Sequence, residues 1–131
     1  MSNLKVNSIA GVGSGGFTGT IASEGGAATT DLQQGLFKQW CRIVQTGTQA
    51  IGDSFNTSGI TDNGTGKTIF AFSNNMSSAT GYCFYATSNQ EGAGGEHSEI
   101  AVGQYEVRSQ GNDGSLADGS QISAGVAGDL A

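Results

Sequence analysis

Gly66-Lys67-Thr68, inside "NGTGKTIFAFS" (63–73), has the residue types that close a phosphate-binding loop. There, a lysine and backbone amides at a helix N-terminus would hold a nucleotide's phosphates. The full pattern Gly-x-x-x-x-Gly-Lys-Thr needs glycine at position 61, where Thr61 stands. The loop must also lead into a helix, whereas "IFAFS" is a β-branched and aromatic run of strand type. Asn63-Gly64 is instead a strong hairpin signal, because both residues tolerate positive φ. Asp62, Asn63, Gly64 and Gly66 therefore read as a structural hairpin. A second match, Gly11-x-Gly13-x-x-Gly16, has the dinucleotide-loop spacing. The following "FTGTIASEGG" cannot form the helix that such a site requires.

Other groups with chemical potential are few. His97 is the single histidine and lies beside Glu96 and Glu99 in "GGEHSE". A metal site usually takes three or four protein ligands, so these residues read as a solvated loop tip and no metal is assigned. Cys41 and Cys83 sit in apolar strand-like runs and read as buried free thiols. Asp53, Asp62, Asp113 and Asp118 fall at expected loops or strand ends, where aspartate stabilises turns through its side chain. Nothing brings two of them together as a general acid/base pair, so no catalytic residue and no cofactor is assigned. Three glycosylation sequons, at Asn56, Asn63 and Asn75, carry no weight without a secretion signal.

The scaffold behind these residues follows from composition. Of 131 residues, 36% are hydrophobic and 12% charged; 23 are glycine and none is proline. The usual shares are roughly 45–50% apolar and about 25% charged. Such a chain suits short strands and tight turns, not long helices. The formal charge is −6, with only Lys5, Lys38, Arg42, Lys67 and Arg108 as cations. No basic patch for nucleic acid can be built from them. No apolar run approaches the roughly 18 residues that span a bilayer. "MSNLKVNSIAGVGSGG" lacks a signal peptide's basic start and apolar stretch, so synthesis in a cytoplasm, as a soluble protein, is expected.

Residues 1–36 differ from the rest. "LKVNSIA" suits one short strand. The Gly/Ser/Ala/Thr-rich stretch after it has no period of 2 or 3.6, so an extended N-terminal arm is expected, ordered only against a partner. In "TTDLQQGLF", Thr30 or Asp31 can cap a helical turn that Gly35 ends. From residue 37 onward the chain reads as strands at 38–46, 49–56, 67–73, 81–88, 100–109 and 121–128. Cys41 and Ile43 alternate against Trp40, Arg42 and Val44. Gly52 marks a bulge. "GYCFYATS" is apolar on both faces, as in a central strand. Six short strands with turn signals between them predict an all-β fold, an antiparallel β-sandwich over 37–131.

Of the ten aromatic residues, Phe55, Phe70, Phe72, Phe84 and Tyr82 are expected to fill the core. Trp40, Tyr85 and Tyr105 are the candidates for a subunit interface or a sugar ligand, since stacking needs an exposed aromatic face. Core packing is the competing reading for all three.

"TTDLQQGLFKQW", "AIGDSFNTSGITDNGTGKTIFAF" and the closing "VAGDLA" together resemble a family of small phage and prophage tail-fibre-like proteins. The resemblance covers about residues 29 to 131 and is strongest over 53–72 and 126–131. "SNLKVNSI" resembles the leader that begins many phage fibre proteins. The pattern departs at "CRIV" and "SAGVAGDLA". The resemblance implies a non-enzymatic virion component, assembled in the host cytoplasm, with a β-sandwich head and homotrimeric assembly. It implies attachment to other virion proteins through the arm, at Leu4, Val6 and Ile9, and contact with a host-surface glycan. Asp53, Ser54, Asn56, Thr61, Asp62, Asn63, Gly64 and Gly66 carry over as structural loop and hairpin. The alternative is a capsid decoration or head-fibre protein, because 131 residues are few for a fibre that must reach far.

Overall fold

The computed structural model describes residues 20–22, 29–31, 36–89 and 96–131. The chain divides into two compact units, Met1–Leu36 and Phe37–Ala131. In the first unit, β1 (Thr20–Ala22) pairs antiparallel with β2 (Thr29–Asp31), with Ile21 opposite Thr30. Thr30 and Asp31 thus belong to a strand and cap no helix. A strand ladder satisfies their backbone groups, and β-branched threonine suits it better than a helix start. Leu4, Val6, Ile9 and Gly35 lie outside the described residues.

The second unit is all-β. It holds β3 (Phe37–Val44), β4 (Ala50–Phe55), β5 (Thr57–Asp62), β6 (Lys67–Phe72), β7 (Tyr82–Ser88), β8 (Glu96–Ala101), β9 (Gln104–Arg108) and β10 (Ile122–Gly128). They form two four-stranded antiparallel sheets, β4-β3-β10-β7 and β5-β6-β9-β8. The sheets pack face to face as a β-sandwich over one core. The alternation read in β3 holds: Cys41 and Ile43 are buried while Trp40, Arg42 and Val44 are exposed. The bulge at Gly52 is also present, since Arg42 pairs with Asp53 but Ile43 with Ile51.

Three strand expectations are corrected. "SGITD" before the turn is not loop but β5, paired with β6 from Thr57↔Phe72 to Asp62↔Thr68. "IAVGQYEVRS" is not one strand but a hairpin, with Val102-Gly103 turning between β8 and β9. The same hairpin puts Glu96, His97 and Glu99 in a strand, with His97 opposite Val107, so the loop-tip reading fails. β7 is an edge strand, not a central one. Its two apolar faces serve different ends. Phe84 and Ala86 pack against the core, while Cys83 and Tyr85 stay exposed on the outside.

The chain passes between the sheets at Asn56, which sits at φ 53, a conformation asparagine tolerates better than most residues. Its side chain holds this corner. Nδ2 donates to the Lys38 carbonyl at 2.9 Å, and Oδ1 accepts from the Asn74 amide at 2.7 Å. The C-terminal residues are fixed in the same region. Met76 bridges to Leu130, Ser77 N donates to Asp129 O, and Ala131 N donates to Asn75 O.

The core centres on Tyr105, which is fully buried. Phe70 stacks on it at 5.2 Å between ring centroids, Phe84 lies at 5.0 Å and Phe72 at 5.6 Å. Burying one such side chain contributes about 1.5–3 kcal/mol. Around the rings lie Cys41, Ile43, Val107, Ile122, Ala124 and Val126. Phe55, expected inside, is 53% exposed. It faces outward because it pairs with Trp40 on the outer face of its sheet.

Candidate functional site

The outer face of the β4-β3-β10-β7 sheet carries two parallel rows of side chains. Register places Phe55, Trp40, Gly125 and Tyr85 side by side across all four strands. Two residues along each strand, on the same face, lie Asp53, Arg42, Ser123 and Thr87. Period-two alternation puts both rows outside once Cys41, Ala124 and Ala86 point into the core. Phe37, opposite Ala127, completes the aromatic group.

These aromatics are left on solvent. Phe37 is 59%, Trp40 41%, Phe55 53% and Tyr85 62% exposed. Gly125 is the floor between them. A Cβ at this position would fall 3.0 Å from Phe37 Cε1, so the missing side chain lets the Phe37 ring lie down on the sheet. Phe37, Trp40, Tyr85, Thr87, Ser123 and Gly125 line an open groove of about 340 Å³, within the size range of small-ligand sites, about 300–1,000 Å³. Trp40 and Tyr85 stand two strands apart, about 10 Å by ordinary strand spacing.

Three of the polar side chains beside the groove, Arg42, Ser123 and Thr87, are uncommitted. Among the described residues, the Arg42 guanidinium, with Asp53 opposite on β4, takes part in no hydrogen bond or ion pair, and the Ser123 and Thr87 hydroxyls bond to no side chain. The Asp53 Oδ1 accepts from the Ser54 amide at 2.8 Å. The Cys83 thiol points toward the Tyr85 hydroxyl at 3.7 Å. That contact, before any effect of burial, raises the Tyr85 pKa.

The three candidate aromatics therefore separate. Trp40 and Tyr85 share the groove. Tyr105 does not, because it lies on β9 inside the core, where burial first, and then the neighbouring Cys41, push its hydroxyl far above the ordinary tyrosine range. Its hydroxyl donates to Gln39 Oε1 at 2.9 Å, and Gln39 Nε2 donates to Thr57 Oγ1 at 2.8 Å. Phe37 and Gly125 also line the groove, and Phe55 extends its aromatic row on the neighbouring strand, although none of the three is a candidate from the sequence. The signal that could have found them is their outward parity relative to Trp40, which shows only once the strand register is known.

The cysteines separate too. Both are free thiols; Cys41 is buried, but Cys83 is exposed, contrary to expectation. Burial pushes the Cys41 thiol up to about 11, so it stays protonated at neutral pH and is no nucleophile. Among the described residues, no group of three His, Cys, Asp or Glu could hold a metal ion, and no helix is long and apolar enough to cross a membrane.

The hairpin residues serve the fold. Asp62 Oδ1 accepts from Gly64 N at 2.9 Å, and Lys67 N donates to Gly64 O at 2.9 Å. Gly64 and Gly66 have φ values of 102 and 67. Gly66 is also gripped from outside the hairpin. Its amide donates to Asp118 Oδ1 at 2.6 Å, and its carbonyl accepts from Ser109 N at 2.7 Å. Asn63 Nδ2 donates to Oε2 of the buried Glu106, whose Oε1 takes a 2.8 Å bond from Arg108 Nε. Asp113 likewise serves its own turn, and Ser115's hydroxyl and amide hold its carboxyl below the ordinary value. No protein-family model, curated protein or solved structure matches the chain.

Proposed function

We propose that this chain is a non-enzymatic structural protein of a phage particle, of tail-fibre or tail-appendage type. Residues 1–36 attach it to other virion proteins, through Leu4, Val6 and Ile9, and the sandwich is displayed as a homotrimer toward the host surface. The observation that supports this reading best is the exposed aromatic row Phe55, Trp40 and Tyr85 around Gly125. A polar, acidic domain that leaves four large aromatic side chains on one sheet face is built for contact. The family-like segments agree with such a role, because their residues serve corners and turns: Asn56 holds the sheet crossing, Gly66 the hairpin, and the closing "GDLA" ties to Asn75–Ser77.

Imaging of labelled protein on intact particles tests this reading. Label on the tail is the expected result; label over the shell favours capsid decoration or a head fibre; a protein that never joins particles overturns the virion role. Deleting residues 1–28 should abolish attachment while the sandwich stays folded. Light scattering tests the trimer, and a stable monomer would sink that part.

A further inference from the structure

We infer that the groove floored by Gly125 is a binding site for a neutral oligosaccharide. This rests on the reading of the domain as a displayed contact module and names the ligand class of its outer face. A sugar ring presents an apolar C–H face and a rim of hydroxyls. The sheet offers both complements in register: Trp40 and Tyr85 on either side of Gly125, and Asp53, Arg42, Ser123 and Thr87 one row away. Aromatic faces take the C–H surface, and the guanidinium, carboxylate and hydroxyls take the rim. With strands about 4.8 Å apart, the two aromatic flanks span two consecutive sugar units lying across the strands.

Charge chooses among sugars. The chain carries −6, which repels a polyanionic glycan. On the face itself the charge of Arg42 is balanced by Asp53 across the strand pair, so a neutral chain fits best. A second copy fits less well. Covering this face with protein would desolvate both Arg42 and Asp53, which stand opposite each other but form no ion pair among the described residues, and burying charges without good pairing is costly. Sugar hydroxyls satisfy both and leave them hydrated at the edge.

Trp40 is the only tryptophan in the chain, so its fluorescence reports the site directly. The full-length protein is titrated with oligomers of N-acetylglucosamine and of glucose, with polygalacturonate as the anionic control, and screened on an array of neutral oligosaccharides. The expected result is a saturable change in Trp40 emission with a neutral oligomer and none with polygalacturonate. Tyr85→Ala and Arg42→Ala, read by array retention and calorimetry, should each weaken binding by about tenfold, since aromatic and arginine anchors dominate contact surfaces, with an unchanged melting temperature. Three results would overturn the proposal. One is no response to any neutral oligomer. Another is undiminished binding by both folded variants. The third is a sugar-independent, concentration-dependent shift in Trp40 emission that tracks self-association, which would put a second copy on the face. Particle attachment is scored separately, so absence of sugar binding by the unmodified protein, when that protein still joins virions, refutes the sugar site and leaves the virion role standing.

Discussion

The Tyr105 hydroxyl donates a 2.9 Å hydrogen bond to Gln39 Oε1, across the interior from one sheet to the other. Both residues are fully buried, and Gln39 passes the connection on to Thr57 at 2.8 Å. A buried amide oxygen without a donor loses its water and gains nothing. Tyr105→Phe keeps the ring stack and removes only that donor, so it should cost about 1–3 kcal/mol. Gln39→Leu should cost a similar amount, and the double variant less than the sum, because the partners fail together. Urea unfolding of the four proteins measures this; additive losses would mean the two groups act independently.

Asn63→Asp separates turn chemistry from tertiary contact. Asp-Gly makes as good a hairpin turn as Asn-Gly, so a turn-only role predicts almost no effect. Asn63 Nδ2, however, donates to the buried Glu106 carboxylate. An aspartate there replaces a donor with a second negative charge. The variant should lose about 1–3 kcal/mol at pH 7. Acid should narrow the deficit relative to wild type, as one carboxylate takes up a proton. Thermal melts at pH 7 and pH 4 read both effects.

Gly66 should be far less replaceable than Gly64, although both have positive φ. A Cβ on Gly64 meets nothing within 4 Å, while one on Gly66 would fall 2.5 Å from Ser109 O and 2.8 Å from Ala117 N. Gly64→Ala costs only the backbone strain, about 1–2 kcal/mol. Gly66→Ala must also push apart the 109–117 segment, and its melting temperature should fall several degrees further. Equal losses would show that the segment yields freely.

Stability should fall as pH rises from about 9 to about 11. Burial raises the Cys41 thiol from 9.0 to about 11. Between those values the unfolded chain releases this proton while the folded one keeps it, so unfolding gains. Below pH 9 the contribution is fully present. Tyr105 and Tyr82, both raised mainly by burial, add loss of the same sign above their ordinary value of 10.0. Melting temperatures of wild type and Cys41→Ala across pH 8 to 11 isolate the cysteine's share. In parallel, a thiol reagent at pH 8 should label Cys83 at once and Cys41 only on unfolding.

The local alphabet of this fold is readable in the chain itself. The period-two run around Cys41 and Ile43, Gly52 as a bulge, the Asp62–Gly66 turn and an all-β sandwich follow from backbone preferences and side-chain alternation within a few residues. What the sequence cannot carry is pairing between distant strands. Both faces of "GYCFYATS" look fit for burial, and only the register against β10 shows that Phe84 turns to the core while Tyr85 joins the outer face. Trp40, Tyr85 and Tyr105 are equivalent by type. Which of them is a core hub and which two stand beside Gly125 depends on residues up to 85 positions apart, Trp40 to Gly125, lying side by side. Asn63 reads as a turn residue because its turn is local, whereas its bond to Glu106 crosses 43 residues. Local conformational preference is a property of neighbours in the chain. A site is a property of neighbours in space, and in a sheet those are set by ladder register, which no short segment contains.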